Sequence, residues 1–98
     1  DPKPHIVFNP PESPLTRAAF GRACAGATSG GVALAAASLC LYDDEYLFIN
    51  GEAFVIQGDV MFWRGLADAR ESRVTKVQAT ETVDALYAWY CDGWLQLR

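Results

Sequence analysis

The sequence predicts a small α+β domain: an antiparallel β-meander packed with about three helices. Three observations carry this. Asn50-Gly51 stands between two runs of β-forming residues, Tyr46-Leu47-Phe48-Ile49 and Ala53-Phe54-Val55-Ile56. Asn and Gly tolerate the positive φ angles of a two-residue hairpin turn. Helical spacing of apolar residues recurs before and after this region, at Leu15, Ala18, Ala19 and Phe20, at Phe62, Leu66 and Ala69, and at Val83, Leu86, Tyr87 and Tyr90. With 98 residues there is room for one domain, and an apolar content of 51% is enough to close one core.

Residues 1–12 hold four of the five prolines. Proline removes backbone donors and restricts the residue before it, so an extended arm is expected, with Ile6, Val7 and Phe8 pinning it to the domain of residues 13–98. Such an arm is how a linker from a preceding domain would arrive, and the chain is expected to be a piece of a longer protein. Ser13 as cap and Pro14 at the first helical position predict a helix start, the helix fading at 24–26 into a loop at 27–31. Val32 to Leu34 is a short strand candidate. Residues 38–56 read as a three-stranded meander with a polar turn at Asp43-Asp44-Glu45. Asp59 is the expected N-cap of the second helix. Residues 71–79 are a polar connection, with Val74 and Val77, that holds a short strand or turn. Thr80 or Thr82 opens the last helix, Gly93 stops it in a left-handed cap, and residues 94–97 alternate as a final edge strand. A helix pair beside a β-hairpin is also the set of parts of a winged-helix fold.

Chemistry is sparse. The single histidine, His5, sits in the arm. An iron site of two histidines and a carboxylate needs two imidazoles, and a catalytic zinc site needs two or three close nitrogen or sulfur ligands. Neither can be assembled from this chain, and a Cys–His or Ser–His pair would have to draw on the same distant imidazole. Gly30-Gly31 lacks the lysine and preceding strand of a phosphate loop. The carboxylates of Asp43, Asp44 and Glu45 read as a solvated turn that discourages edge pairing. Cys24, Cys40 and Cys91 have no metal-ligand spacing and are expected as reduced thiols of a cytoplasmic protein. The longest apolar stretch, residues 30–42, is too short and too weakly hydrophobic to span a bilayer.

The net charge of −4 opposes nucleic-acid binding, which rests on Lys and Arg displacing counterions. The last helix carries Glu81, Asp84 and Asp92 and no Lys or Arg, a poor charge for a major-groove reader. Trp63 and Trp89 lie about a hundred degrees around their helices from the neighbouring core residues Phe62 and Tyr90. Two readings follow: a wide core face, or a surface for another domain or partner formed by Phe8, Trp63 and Trp89.

A resemblance covers almost the whole chain. It runs through Pro2-Lys3-Pro4-His5-Ile6-Val7-Phe8, Pro10-Pro11, Pro14-Leu15 and Leu41-Tyr42-Asp43-Asp44. It continues in Leu47-Phe48-Ile49-Asn50-Gly51-Glu52-Ala53-Phe54, Leu66-Ala67-Asp68-Ala69-Arg70 and Trp89-Tyr90-Cys91-Asp92-Gly93-Trp94-Leu95. Together these resemble the C-terminal region of bacterial cupin-like JmjC oxygenases of the ribosomal-protein arginine hydroxylase type. The stretch from Phe48 to Phe54 is the most specific part. The resemblance implies a winged-helix-like tail domain, acidic and not DNA-binding, behind an upstream jelly roll that holds iron and 2-oxoglutarate. No iron or 2-oxoglutarate residue of that family has a counterpart here, so no catalytic, cofactor-binding or metal residue is expected in this chain. Its expected partners are the upstream catalytic domain and a basic ribosomal protein. The Ala-, Gly- and Ser-rich stretch at 26–37 departs from the family pattern and leaves the length of the first strand open.

Overall fold

The computed structural model describes residues 8, 10–25, 31–56, 58–72 and 80–97. Among them the chain runs α1 (Arg17–Ala25), β1 (Val32–Leu34), β2 (Cys40–Tyr42), β3 (Tyr46–Ile49), β4 (Glu52–Val55), α2 (Val60–Ala69), β5 (Glu71–Ser72), α3 (Thr80–Cys91) and β6 (Leu95–Leu97). The strands form two antiparallel sheets, ordered β5-β1-β6 and β2-β3-β4. This is the α+β, winged-helix arrangement expected from the sequence.

The meander forms as read. Asn50 (φ 50°) and Gly51 (φ 88°) make the turn, and Ile49 pairs with Glu52 across it. Asn50 does more than turn the chain. Its Oδ1 accepts from the Leu39 N–H at 2.9 Å, and its Nδ2 donates to Ser38 Oγ at 3.2 Å. Ser38, fully buried, donates in turn to the Trp94 carbonyl at 2.7 Å. The same carbonyl accepts from the Ala35 N–H at 2.9 Å. One hairpin side chain is thereby tied to the segment that leads into the other sheet.

The second sheet was less legible. Val32–Leu34 is a strand, but its partners come from far along the chain: Val32 faces Leu97 and Leu34 faces Leu95 on one side, and Val32 faces Ser72 on the other. β5 is the short strand expected near residue 71, and β6 is the expected edge strand. Arg70, in the left-handed conformation that ends α2 (φ 65°), accepts from the Leu34 N–H at 2.8 Å through its carbonyl. Its guanidinium donates to the Ala35 carbonyl at 2.8 Å.

One helix start differs from expectation. α1 begins at Arg17 rather than beside Ser13-Pro14, and Thr16 Oγ1 accepts from the Ala19 N–H at 3.2 Å. The preceding segment is held instead by α3: the Leu15 N–H donates to Tyr90 Oη at 3.1 Å, and Tyr87 Oη donates to the Leu15 carbonyl at 2.9 Å. Asp59 is the N-cap of α2, as expected, held in the left-handed region (φ 54°) with no side-chain cap bond. Its carboxylate accepts from Thr82 Oγ1 at 2.6 Å, which joins the starts of α2 and α3. His5, Ile6, Val7, Val74 and Val77 lie outside the described residues.

The core gathers Phe20 and Cys24 of α1, Val32 and Leu34 of β1, Leu47 and Ile49 of β3, and the inward faces of α2 and α3. Phe20 stands 4.9 Å from the Tyr90 ring and 5.4 Å from that of Tyr87, which seats α1 on α3. An exposed ion pair between Arg17 and Asp84 (2.6 Å) lies along the same contact.

Candidate functional site

The three aromatic residues singled out in the sequence do not share one surface. Trp63 is 1% exposed and Trp89 is 7% exposed. Their rings lie 5.5 Å apart at 64°. Phe54 of β4 closes the cluster, 5.1 Å from Trp63 and 5.6 Å from Trp89. Such tilted and edge-on contacts suit the ring quadrupole. These tryptophans therefore join the meander to both helices, and of the two readings the wide core face is the one the structure displays. The reason is geometric. α2 packs against a sheet and another helix at once, so adjacent residues Phe62 and Trp63 both find cover.

Phe8 is half-buried, its ring 6.2 Å from that of Trp94. It lines a groove of about 410 Å³ together with Pro11, the alanines at 35–37, Tyr90 and Leu95. Gln96 adds a polar side chain to the lining, and no charged side chain stands in it among the described residues.

The two buried thiols, Cys24 and Cys40, are poor nucleophiles. Burial pushes Cys24 up to about 11, with Arg17 partly opposing. Burial raises Cys40 likewise to about 11, with Arg70 opposing. At neutral pH these hold about a hundredfold less thiolate than ordinary cysteines. We expect Ellman-type labelling at about pH 8 to reach Cys24 and Cys40 only as fast as the domain unfolds. Rapid labelling of either in the absence of denaturant would contradict the packing described. Among the described residues, no group of three His, Cys, Asp or Glu side chains could hold a metal ion.

The polar turn of the meander is built. Asp43 Oδ1 accepts from the backbone N–H groups of Glu45 and Tyr46, both at 2.8 Å. These two bonds hold its carboxyl below the usual carboxylate range. Asp44 beside it projects fully into solvent, 3.9 Å from Arg64. Arg64 also lies over the Tyr42 ring, 5.4 Å from its centroid, and Tyr42 Oη donates to Asp68 at 3.1 Å.

The feature that sequence reasoning missed is the outer face of the meander. Leu47 and Ile49 point inward, so Tyr46 and Phe48 point out, 38% and 39% exposed, with ring centroids 6.0 Å apart. Phe48 pairs with Leu41 on one side and Ala53 on the other, and Tyr46 pairs with Val55. Leu39 and Leu41 are 70% and 69% exposed. The signal was present: these strands are apolar in both phases of the β alternation, whereas a sheet with one wet face shows polar residues in one phase.

The model of the ROXA-like winged helix family matches residues 2–96. The chain belongs to this family. As a ROXA-like winged helix, it combines the family's fold with an acidic α3 that has no Lys or Arg to offer a phosphate backbone. No curated protein and no solved structure matches the chain.

Proposed function

We propose that this ROXA-like winged helix is a non-catalytic accessory domain of a cytoplasmic iron- and 2-oxoglutarate-dependent JmjC/cupin-type hydroxylase acting on a ribosomal protein. In this reading it steadies the enzyme and shapes the approach of a basic substrate. The family match over residues 2–96 carries the proposal. The charge of the domain supports it: its net charge of −4 complements a cationic protein.

Iron and 2-oxoglutarate would belong to the upstream domain of the parent. Removing residues 13–98 from the parent should lower its melting temperature or its hydroxylation of a basic substrate protein. Unchanged melting together with unchanged turnover would refute the accessory role. The same fold reads DNA in other settings, and an anisotropy titration of this chain against duplex DNA at low salt separates the two. Tight, sequence-dependent binding would replace the present reading with a transcription-regulator one.

A further inference from the structure

The outer face of the β2-β3-β4 sheet is apolar across all three strands. Leu41, Phe48 and Ala53 form one cross-strand row. Tyr46 and Val55 form the next, and Leu39 extends the surface past the start of β2. Contiguous apolar surface on a soluble domain marks a place where something else packs. Its occupant is identified by charge. From Ala23 to Trp63 the sequence contains no Lys, Arg or His, yet it contains Asp43, Asp44, Glu45, Glu52 and Asp59. The meander places Asp43, Asp44 and Glu45 at the β2–β3 turn, so carboxylates stand at that end of the apolar face; Glu52 pairs with buried Ile49 and shares its inward phase. Two cations among the described residues stand near this sheet: Arg70, which acts on the buried Cys40 thiol and donates to the Ala35 carbonyl, and Arg64. Arg64 lies over Tyr42, whose strand phase is that of buried Cys40, on the side that α2 covers, and it meets the Asp44 carboxylate alone.

We infer that this face is a docking surface for a protein segment that presents apolar side chains flanked by Lys or Arg. An apolar strip on that segment would cover Leu41, Phe48 and Val55, and its flanking cations would meet the carboxylates at the β2–β3 turn. The other candidates meet the wrong charge. A second copy would bring carboxylate ends against an equally anionic face. Nucleic acid and anionic lipid would be repelled by the same groups. The inference rests on the reading that the domain works by protein contact and is independent of the chemistry of any parent enzyme.

The test uses the 98-residue chain and a synthetic peptide of alternating valine and threonine with two lysines at each end. Backbone amide shifts in a nitrogen-15 spectrum report where the peptide sits, and a titration reports its affinity. The expected result is saturable binding with shifts concentrated at residues 39–55. Binding should be about tenfold weaker in Phe48→Glu, and similarly weaker in a double variant Asp44→Asn, Glu45→Gln. That double variant spares the structural Asp43 and leaves the apolar rows intact. Circular dichroism melts verify that both variants stay folded, and if Phe48→Glu does not, Leu41→Ser replaces it. Added salt should weaken binding. Absence of binding, shifts centred on the Phe8 groove instead, or equal affinity for a peptide with glutamates in place of the lysines would each overturn the inference. So would concentration-dependent dimerisation in sedimentation that Phe48→Glu abolishes, since the face would then belong to a second copy. Deleting the domain from the parent tests the accessory role by a separate readout, so either idea can fail alone.

Discussion

Replacing Trp63 with alanine should lower the stability of the domain by about 3–5 kcal/mol, the cost of deleting a large aromatic from a closed core. Trp63 is essentially inaccessible and touches the rings of Phe54, Phe62 and Trp89. Its removal thus opens a void where the meander, α2 and α3 meet. A domain of this size has a total margin of about 5–15 kcal/mol. The variant should therefore melt about 15 °C or more below the parent chain, with a weakened tryptophan near-ultraviolet signal. Met61→Ala, two positions away on the exposed side of α2 (81% exposed), should change stability by no more than about 0.5 kcal/mol. Similar melting temperatures for the two variants would show that the aromatic cluster is not the junction described here.

The hairpin makes the second large effect, and there the cost can be divided. Asn50→Ala removes a side chain that bonds Leu39 and Ser38 and also forces alanine into a positive φ. The left-handed backbone costs about 1–2 kcal/mol for a residue with an ordinary Cβ. The lost hydrogen bonds add about 1 kcal/mol. Asn50→Gly restores the backbone freedom and leaves only the hydrogen-bond deficit. Urea unfolding should then rank the parent above Asn50→Gly, and Asn50→Gly above Asn50→Ala. Equal midpoints for the two variants would mean that the turn conformation contributes nothing and that the Ser38 network carries the whole effect.

These two sites also show which parts of the molecule were legible beforehand. Asn50-Gly51 could be read because hairpin turns depend on φ preferences of two adjacent residues, information that is local. The extent of the helices was nearly as clear, since Phe62 and Leu66 or Leu86 and Tyr90 repeat with the helical period. The start of α1 was misplaced because Ser13-Pro14 is a good local signal that a non-local one overrides: the hydroxyls of Tyr87 and Tyr90 bond both backbone groups of Leu15 and hold that segment outside the helix. Asp59 was placed correctly as the N-cap of α2, while its carboxylate goes to a non-local partner, Thr82, instead of the helix N–H groups. Trp63 and Trp89 left two readings open because a helical wheel shows angles around an axis but not how many neighbours surround it. The apolar outer face of the meander went unread because apolar runs are ordinarily credited to the core without asking which alternate residues the core can reach.

The β5-β1-β6 sheet has a bearing on how the domain comes together. The meander and its hairpin join residues that are close in the chain and can form early. β1 waits at the centre of its sheet for strands that arrive much later, one following α2 and one following α3. Closing that long loop is the slow entropic step of a topology like this one. During synthesis the meander is complete while the other sheet still lacks β6, so the chain spends an interval half-assembled. In that interval the carboxylates at the β2–β3 turn of the meander are the groups that keep one nascent chain from adhering to the next.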